Sequence, residues 1–121
     1  HTQEFLEKTL NITKKNGMVA ITVPPAKSEF VGGHVTLWTP AILLYRLVLA
    51  GFDCSEAKVF VYGYNISVIV KARRNSLDVN TLAWDFNDIA RLSKWFPKGL
   101  KPNIDGAKFG KVFRGAEINL K

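Results

Sequence analysis

Residues 39–72, TPAILLYRLVLAGFDCSEAKVFVYGYNISVIVKA, decide how this chain is read. Thr39 offers a side-chain oxygen to cap a helix, and Pro40 fits the first helical position, where a missing amide hydrogen costs nothing. The helix is expected to run to about Ala50, with Gly51 in the left-handed cap position and Phe52 folding back onto Leu47 in a Schellman ending. Almost every side of it is apolar, so more than one neighbour must cover it, such as a sheet below and another helix or subunit alongside. Lys58 to Tyr62 and Ile66 to Ala72 alternate or run apolar with branched and aromatic side chains, and only Gly63, Tyr64 and Asn65 separate them. So short a link joins antiparallel strands.

Upstream, Met18 to Val23 is apolar apart from Thr22 and is closed by Pro24 and Pro25, which reads as a strand buried on both faces. If that strand and Lys58 to Tyr62 are parallel, the Pro40 helix is the crossover of a right-handed βαβ unit. The hairpin return then adds one antiparallel strand to an otherwise parallel sheet. Before it, Glu4 to Lys15 carries Phe5, Leu6, Leu10 and Ile12 at spacings that put an apolar face on a helix. Glu4 and Glu7 early and Lys14 and Lys15 late complement the helix dipole, and Gly17 after Asn16 supplies a left-handed stop.

Downstream, Asp85 and Asp88 resemble a capping pair, and Ile89, Leu92 and Phe96 mark the apolar face of a helix that ends at Pro97. That helix is expected on the sheet face left open. Residues 99–121 read as loop with short edge strands around Lys108 to Phe113 and Glu117 to Leu120. The division is therefore 1–74 and a C-terminal extension, 75–121, packing on the same domain.

With 121 residues, 47% of them hydrophobic, the chain suits one compact domain with a real core rather than a disordered segment. The longest apolar run, Ala41 to Ala50, is interrupted by Arg46 and too short to cross a bilayer. A single cysteine, Cys54, forms no internal disulfide and fits a reducing, cytoplasmic setting, where it reads as a small core residue. The net charge of +7 is uneven: residues 1–70 hold six Lys/Arg against five Asp/Glu, and residues 71–121 hold eleven against five. Cations interleaved with Trp84, Trp95, Phe109 and Phe113 are compatible with a nucleic-acid face. Yet the cations are scattered and no binding motif accompanies them, so solubility or an acidic ligand is the expected use.

The ordered set from His1 to Arg74 resembles the C-terminal half of a class I S-adenosylmethionine-dependent methyltransferase. The residues that carry the resemblance are His1, Phe5 to Leu10, Asn16-Gly17, Met18 to Val23 with Pro24-Pro25, Gly33-His34, Trp38-Thr39-Pro40 and Ala50-Gly51-Phe52. That family ends with a strand, a helix, a strand and a reversed final strand inserted between the previous two, the order 5-7-6. The resemblance thus implies an α/β fold, a three-layer remnant of a Rossmann-like sheet with its last strand antiparallel. It also implies that the glycine-rich turn and the acidic strand end that hold S-adenosylmethionine lie upstream of this region. No cofactor is expected to bind this chain alone, and methyl transfer by it alone is not expected.

In the resembling family the loop after the buried strand borders the acceptor substrate, which implies a contact or base role for His34, with Lys27 offering charge and Trp38, Tyr64 and Asn65 nearby. From the residues alone, His34 reads more readily as a loop histidine capping a helix or bonded to backbone, and Tyr64 as an aromatic covering the sheet end. No His, Cys, Asp and Glu cluster has metal-ligand spacing. Three classes of function stay open: a methyltransferase-like half-domain, a non-enzymatic binding module with a basic C-terminal face, and a small enzyme built around His34. The bare edge of the Met18 to Val23 strand leads to an expected homodimer through that edge and the Ala41 to Ala50 helix.

Overall fold

The computed structural model describes residues 1–24, 37–62, 65–85, 87–98 and 116–119. It is a mixed α/β structure in which helices lie against a small sheet. The elements are α1 (Thr2–Ile12), β1 (Met18–Val23), α2 (Pro40–Leu49), β2 (Lys58–Tyr62), β3 (Asn65–Lys71), a short α3 (Asp88–Leu92) and β4 (Ala116–Asn119). Single 3₁₀ turns lie at Val79–Thr81 and Ser93–Trp95.

The sheet order is β1-β3-β2-β4, and every neighbouring pair is antiparallel. β3 therefore sits between β1 and β2, which run parallel to each other on either side of it. The expected reversed strand is present and inserted. The expected "otherwise parallel" sheet is corrected, because the insertion of β3 separates β1 from β2, the two strands expected to pair in parallel. β4 extends the sheet at the outer edge of β2, with Val61 opposite Ala116 and Lys58 opposite Asn119. This is the edge strand read at Glu117 to Leu120, begun one residue earlier; the one read at Lys108 to Phe113 lies outside the described residues.

Register sorts the side chains into two faces. Val19, Ile21 and Val23 lie opposite Val70, Val68 and Ile66, with Val59 beside Val68, and these form the inner face. Met18, Ala20 and Thr22 lie opposite Lys71, Ile69 and Ser67 on the outer face, where the Thr22 and Ser67 hydroxyls bond across the strands at 2.8 Å. Burial alternates accordingly along β1 and β3. A β1 buried on both faces is thus corrected: Met18 is 63% exposed, since among the described residues the helices cover one face. The third layer is likewise not found among them. Leu92 and Phe96, expected on the open face, instead join the one core cluster that holds Val59, Val68 and Val70.

α2 fills the centre of that core. Thr39 Oγ1 accepts the Ile42 amide at 3.1 Å with Pro40 following, as the sequence anticipates. Leu43, Leu44, Leu47 and Val48 are buried within the chain, and α2 touches both α1 and β3. The C-terminus is a Schellman ending: the Gly51 amide donates to the Val48 carbonyl and the Phe52 amide to the Leu47 carbonyl, both at 3.0 Å. Gly51 has φ 109°, which a side chain strains to adopt. Asn75 completes the cap, its side-chain amide donating to the Val48 and Phe52 carbonyls at 2.8 Å each.

α1 is shorter than its pattern suggests. It stops at Ile12, and Lys14 and Lys15 fall in the following turn, so no basic residue occupies its last turn. Leu6 and Leu10 are buried, whereas Phe5 and Ile12 are exposed. The left-handed residue is Asn16, at φ 63°, and not Gly17. Gly17 is required for space: a Cβ there would stand 2.8 Å from the Lys14 carbonyl oxygen. Asn16 donates to the Ala72 carbonyl while Ala72 donates back to Gly17, so two residues oppose one in a bulge that opens the β1–β3 ladder.

Candidate functional site

The site expected from the sequence belongs to the end of the sheet where β1 and β2 finish and β3 begins. Here the described residues give only part of the expected group. Asn65 is exposed at the start of β3, opposite Tyr62. Trp38 is buried and belongs to the core cluster, immediately before the Thr39 cap. Lys27, His34 and Tyr64 lie outside the described residues. His1 is fully exposed, its Nδ1 3.9 Å from Glu4. Of the expected site residues only Trp38 and Asn65 are thus described, one in the core and the other exposed at a strand start.

Cys54 is fully buried, and burial together with the neighbouring Asp53 carboxylate pushes its thiol well above the usual range. A thiol held in that form is a poor nucleophile. Its backbone amide donates to the Trp95 carbonyl, tying the α2–β2 connection to the segment after α3. Among the described residues no three His, Cys, Asp or Glu side chains gather to hold a metal ion, and no helix is long and apolar enough to cross a membrane.

Two polar arrangements were not anticipated. Asp88 is buried, yet it is not half of a capping pair with Asp85. Its Oδ1 accepts the Ala83 amide at 2.9 Å and its Oδ2 the Trp84 amide at 2.7 Å. The α3 N-cap is Asn87, which makes no side-chain cap bond. Trp84 has φ 62°, in the left-handed region, and its ring is 63% exposed. The Asp88 carboxylate fixes that turn, and it also helps hold the Tyr45 hydroxyl above its ordinary pKa, after burial.

The second arrangement surrounds the bulge. Lys14 and Lys15 follow α1 just before it, and just across from it Lys71 ends β3, with Arg73 and Arg74 beyond. Glu56 answers two of these, 3.4 Å from Lys71 Nζ and 3.3 Å from Arg73 Nη1. Both are half-exposed surface pairs of small energetic weight. Arg74 is held by Asn11 Oδ1 instead. A cleft of about 470 Å³ opens here, walled by Leu10 and Ala72. A larger one, about 600 Å³, lies between Ser55–Glu56 and the Ser93–Lys98 segment, where Lys94 Nζ stands 4.4 Å over the Trp95 ring. No family model, curated protein or solved structure matches the chain.

Proposed function

We propose that this chain is a methyltransferase-like half-domain, corresponding to the C-terminal half of a class I S-adenosylmethionine-dependent enzyme and inactive alone. The observation that carries the reading is the path of the chain: a strand, a crossover helix, a parallel strand, and a reversed strand inserted between the two. That path supports the 5-7-6 order the resemblance implies, while β4 extends the sheet beyond β2. Support also comes from the Thr39-Pro40 and Gly51-Phe52 signals, which bound the crossover helix where the family pattern places it. In the resembling family a glycine-rich strand-turn upstream of this region cradles the cofactor, so the reading assigns binding to a partner half. Titration calorimetry with S-adenosylmethionine tests this. The isolated chain is expected to give no binding heat, and the same chain joined to the sequence preceding it in its gene is expected to bind. Binding by the isolated chain, or none by the extended one, contradicts the proposal.

β1 ends the sheet, and its far edge takes no strand among the described residues. The Gly17–Ala72 hydrogen bond sets the ladder phase, so Val19, Ile21 and Val23 bond to β3 while the backbone groups of Met18, Ala20 and Thr22 point outward. In a whole enzyme this is the seam to the other half. In the isolated chain a second copy fills it by two-fold antiparallel pairing, giving a homodimer. The edge alone carries this contact, because the apolar side chains of α2 are mostly consumed by the chain's own core. Size-exclusion with light scattering is expected to return twice the chain mass, and Ala20→Pro, which removes an outward amide, is expected to return the monomer. A monomer from the unaltered chain at micromolar concentration contradicts it.

A further inference from the structure

We propose that the cleft beside the β1 bulge, lined by Asn11, Thr13, Lys15, Arg73 and Arg74, binds a phosphate group of a small phosphorylated ligand. It lies at the end of the sheet where β1 begins and β3 ends, opposite the end at which the methyltransferase-like reading places its chemistry. The site is independent of that reading.

Folding itself assembles the charge. The Asn16–Ala72 and Ala72–Gly17 hydrogen bonds, 3.1 and 2.7 Å, bring the helix-end lysines against the strand-end arginines. Glu56 is shared between Lys71 and Arg73 and reaches neither Lys15 nor Arg74. The Asp53 carboxylate accepts the Ser55 amide at 3.0 Å and lies beyond ion-pair distance of Lys15, Arg73 and Arg74. Convergent cations short of acids repel one another, and an anion seated among them relieves that repulsion. One contribution opposes it: the carbonyl end of α1 faces this region and disfavours negative charge. That end is partly neutralised, since the Thr9 carbonyl accepts both the Thr13 amide at 3.2 Å and the Thr13 hydroxyl at 2.6 Å. The charges of Lys15 and Arg74, with Arg73 partly answered by the shared Glu56, outweigh what remains.

The donors also suit phosphate by geometry. Asn11 Oδ1 holds Arg74 Nη2, which orients the guanidinium and leaves its remaining N–H groups for an anion. The volume, about 470 Å³, falls within the range of small-ligand sites. Among the described residues no aromatic ring lines the cleft, so they offer no stacking platform of the kind single-stranded nucleic acid uses.

Titration of the whole chain with inorganic pyrophosphate at low salt is the test, with Lys15→Gln, Arg74→Gln and Lys98→Gln as variants. One saturable site is expected, weakened about tenfold by Lys15→Gln and by Arg74→Gln, as loss of a charge-assisted phosphate contact implies, and unchanged by Lys98→Gln. Lys15 is an exposed turn residue, so its variant keeps the fold even if Arg74→Gln does not. In the unaltered chain, amide shifts on titration are expected at Asn16, Gly17, Arg73 and Arg74. Non-saturating heat, equal weakening by Lys98→Gln, or shifts confined to other residues overturns the proposal. So does oligothymidylate binding that ignores Lys15→Gln in a chain that does not bind pyrophosphate.

Discussion

Phe52→Ala is expected to lower stability by about 3–5 kcal/mol, the range for removing a buried aromatic, and to lower the melting temperature by roughly 10–20 °C. The side chain is fully buried, as are Leu43, Leu44 and Leu47. Its position is set by two kinds of contact at once. Its amide closes the Schellman ending onto Leu47, and its backbone pairs with Arg74 in an isolated antiparallel bridge just beyond β3. The Asp53 amide to the Arg73 carbonyl at 2.8 Å and the Asn75 amide to the Gly51 carbonyl at 2.8 Å flank that bridge. Truncation therefore leaves a void where α2, the sheet and the bridge meet, with a backbone too well fixed to collapse into it. Urea unfolding followed by far-ultraviolet circular dichroism measures the loss. A change under about 1 kcal/mol is what a half-exposed position gives and contradicts this placement.

Asp88→Ala is expected to cost about 2–3 kcal/mol, since hydrogen bonds to a charged acceptor are each worth about 1.5–3 kcal/mol and two are lost. The two donors, the Ala83 and Trp84 amides, belong to exposed residues, so water recovers part of the loss. A second contribution comes from Trp84 itself. A side-chain-bearing residue in the left-handed region carries of order 1–3 kcal/mol of strain, and the carboxylate is what sustains it. Trp84→Gly in the Asp88→Ala background is therefore expected to restore part of the stability, by about 1 kcal/mol. Thermal unfolding of the single and double variants reads this directly. If Asp88→Ala is neutral, the two carboxylate bonds do not hold the turn.

Local signals were legible from the residues. Thr39-Pro40 and Gly51-Phe52 each act through backbone groups one turn away, so the α2 boundaries and its Schellman ending follow from neighbours in sequence. The close spacing of β2 and β3 fixed their antiparallel pairing in the same way. Features set by distant residues were read less well. The apolar run of β1 does not reveal that its outer face stays exposed, because that depends on which layers cover the sheet. Asp85 and Asp88 have capping-pair spacing, but the Asp88 carboxylate turns back to amides before Asp85. Lys14-Lys15 and Arg73-Arg74 read as separate charges on a helix and a strand end. Only the Gly17–Ala72 pairing makes them neighbours, and the available signal was the bulge-forming Asn16-Gly17 step between them. Of the expected site, Lys27, His34 and Tyr64 lie outside the described residues.

The central position of β3 also governs how the chain assembles. β2 and β3 are joined through a very short link, and such hairpins close within about 1–10 μs. β1 must wait for β3, because Val23 meets Ile66 only after α2 and β2 have been laid down between them. Closing so large a loop is slow compared with local contacts. During synthesis, α1 and the apolar β1 therefore emerge and stay unpaired until β3 arrives, the interval in which the nascent chain is most open to misassociation.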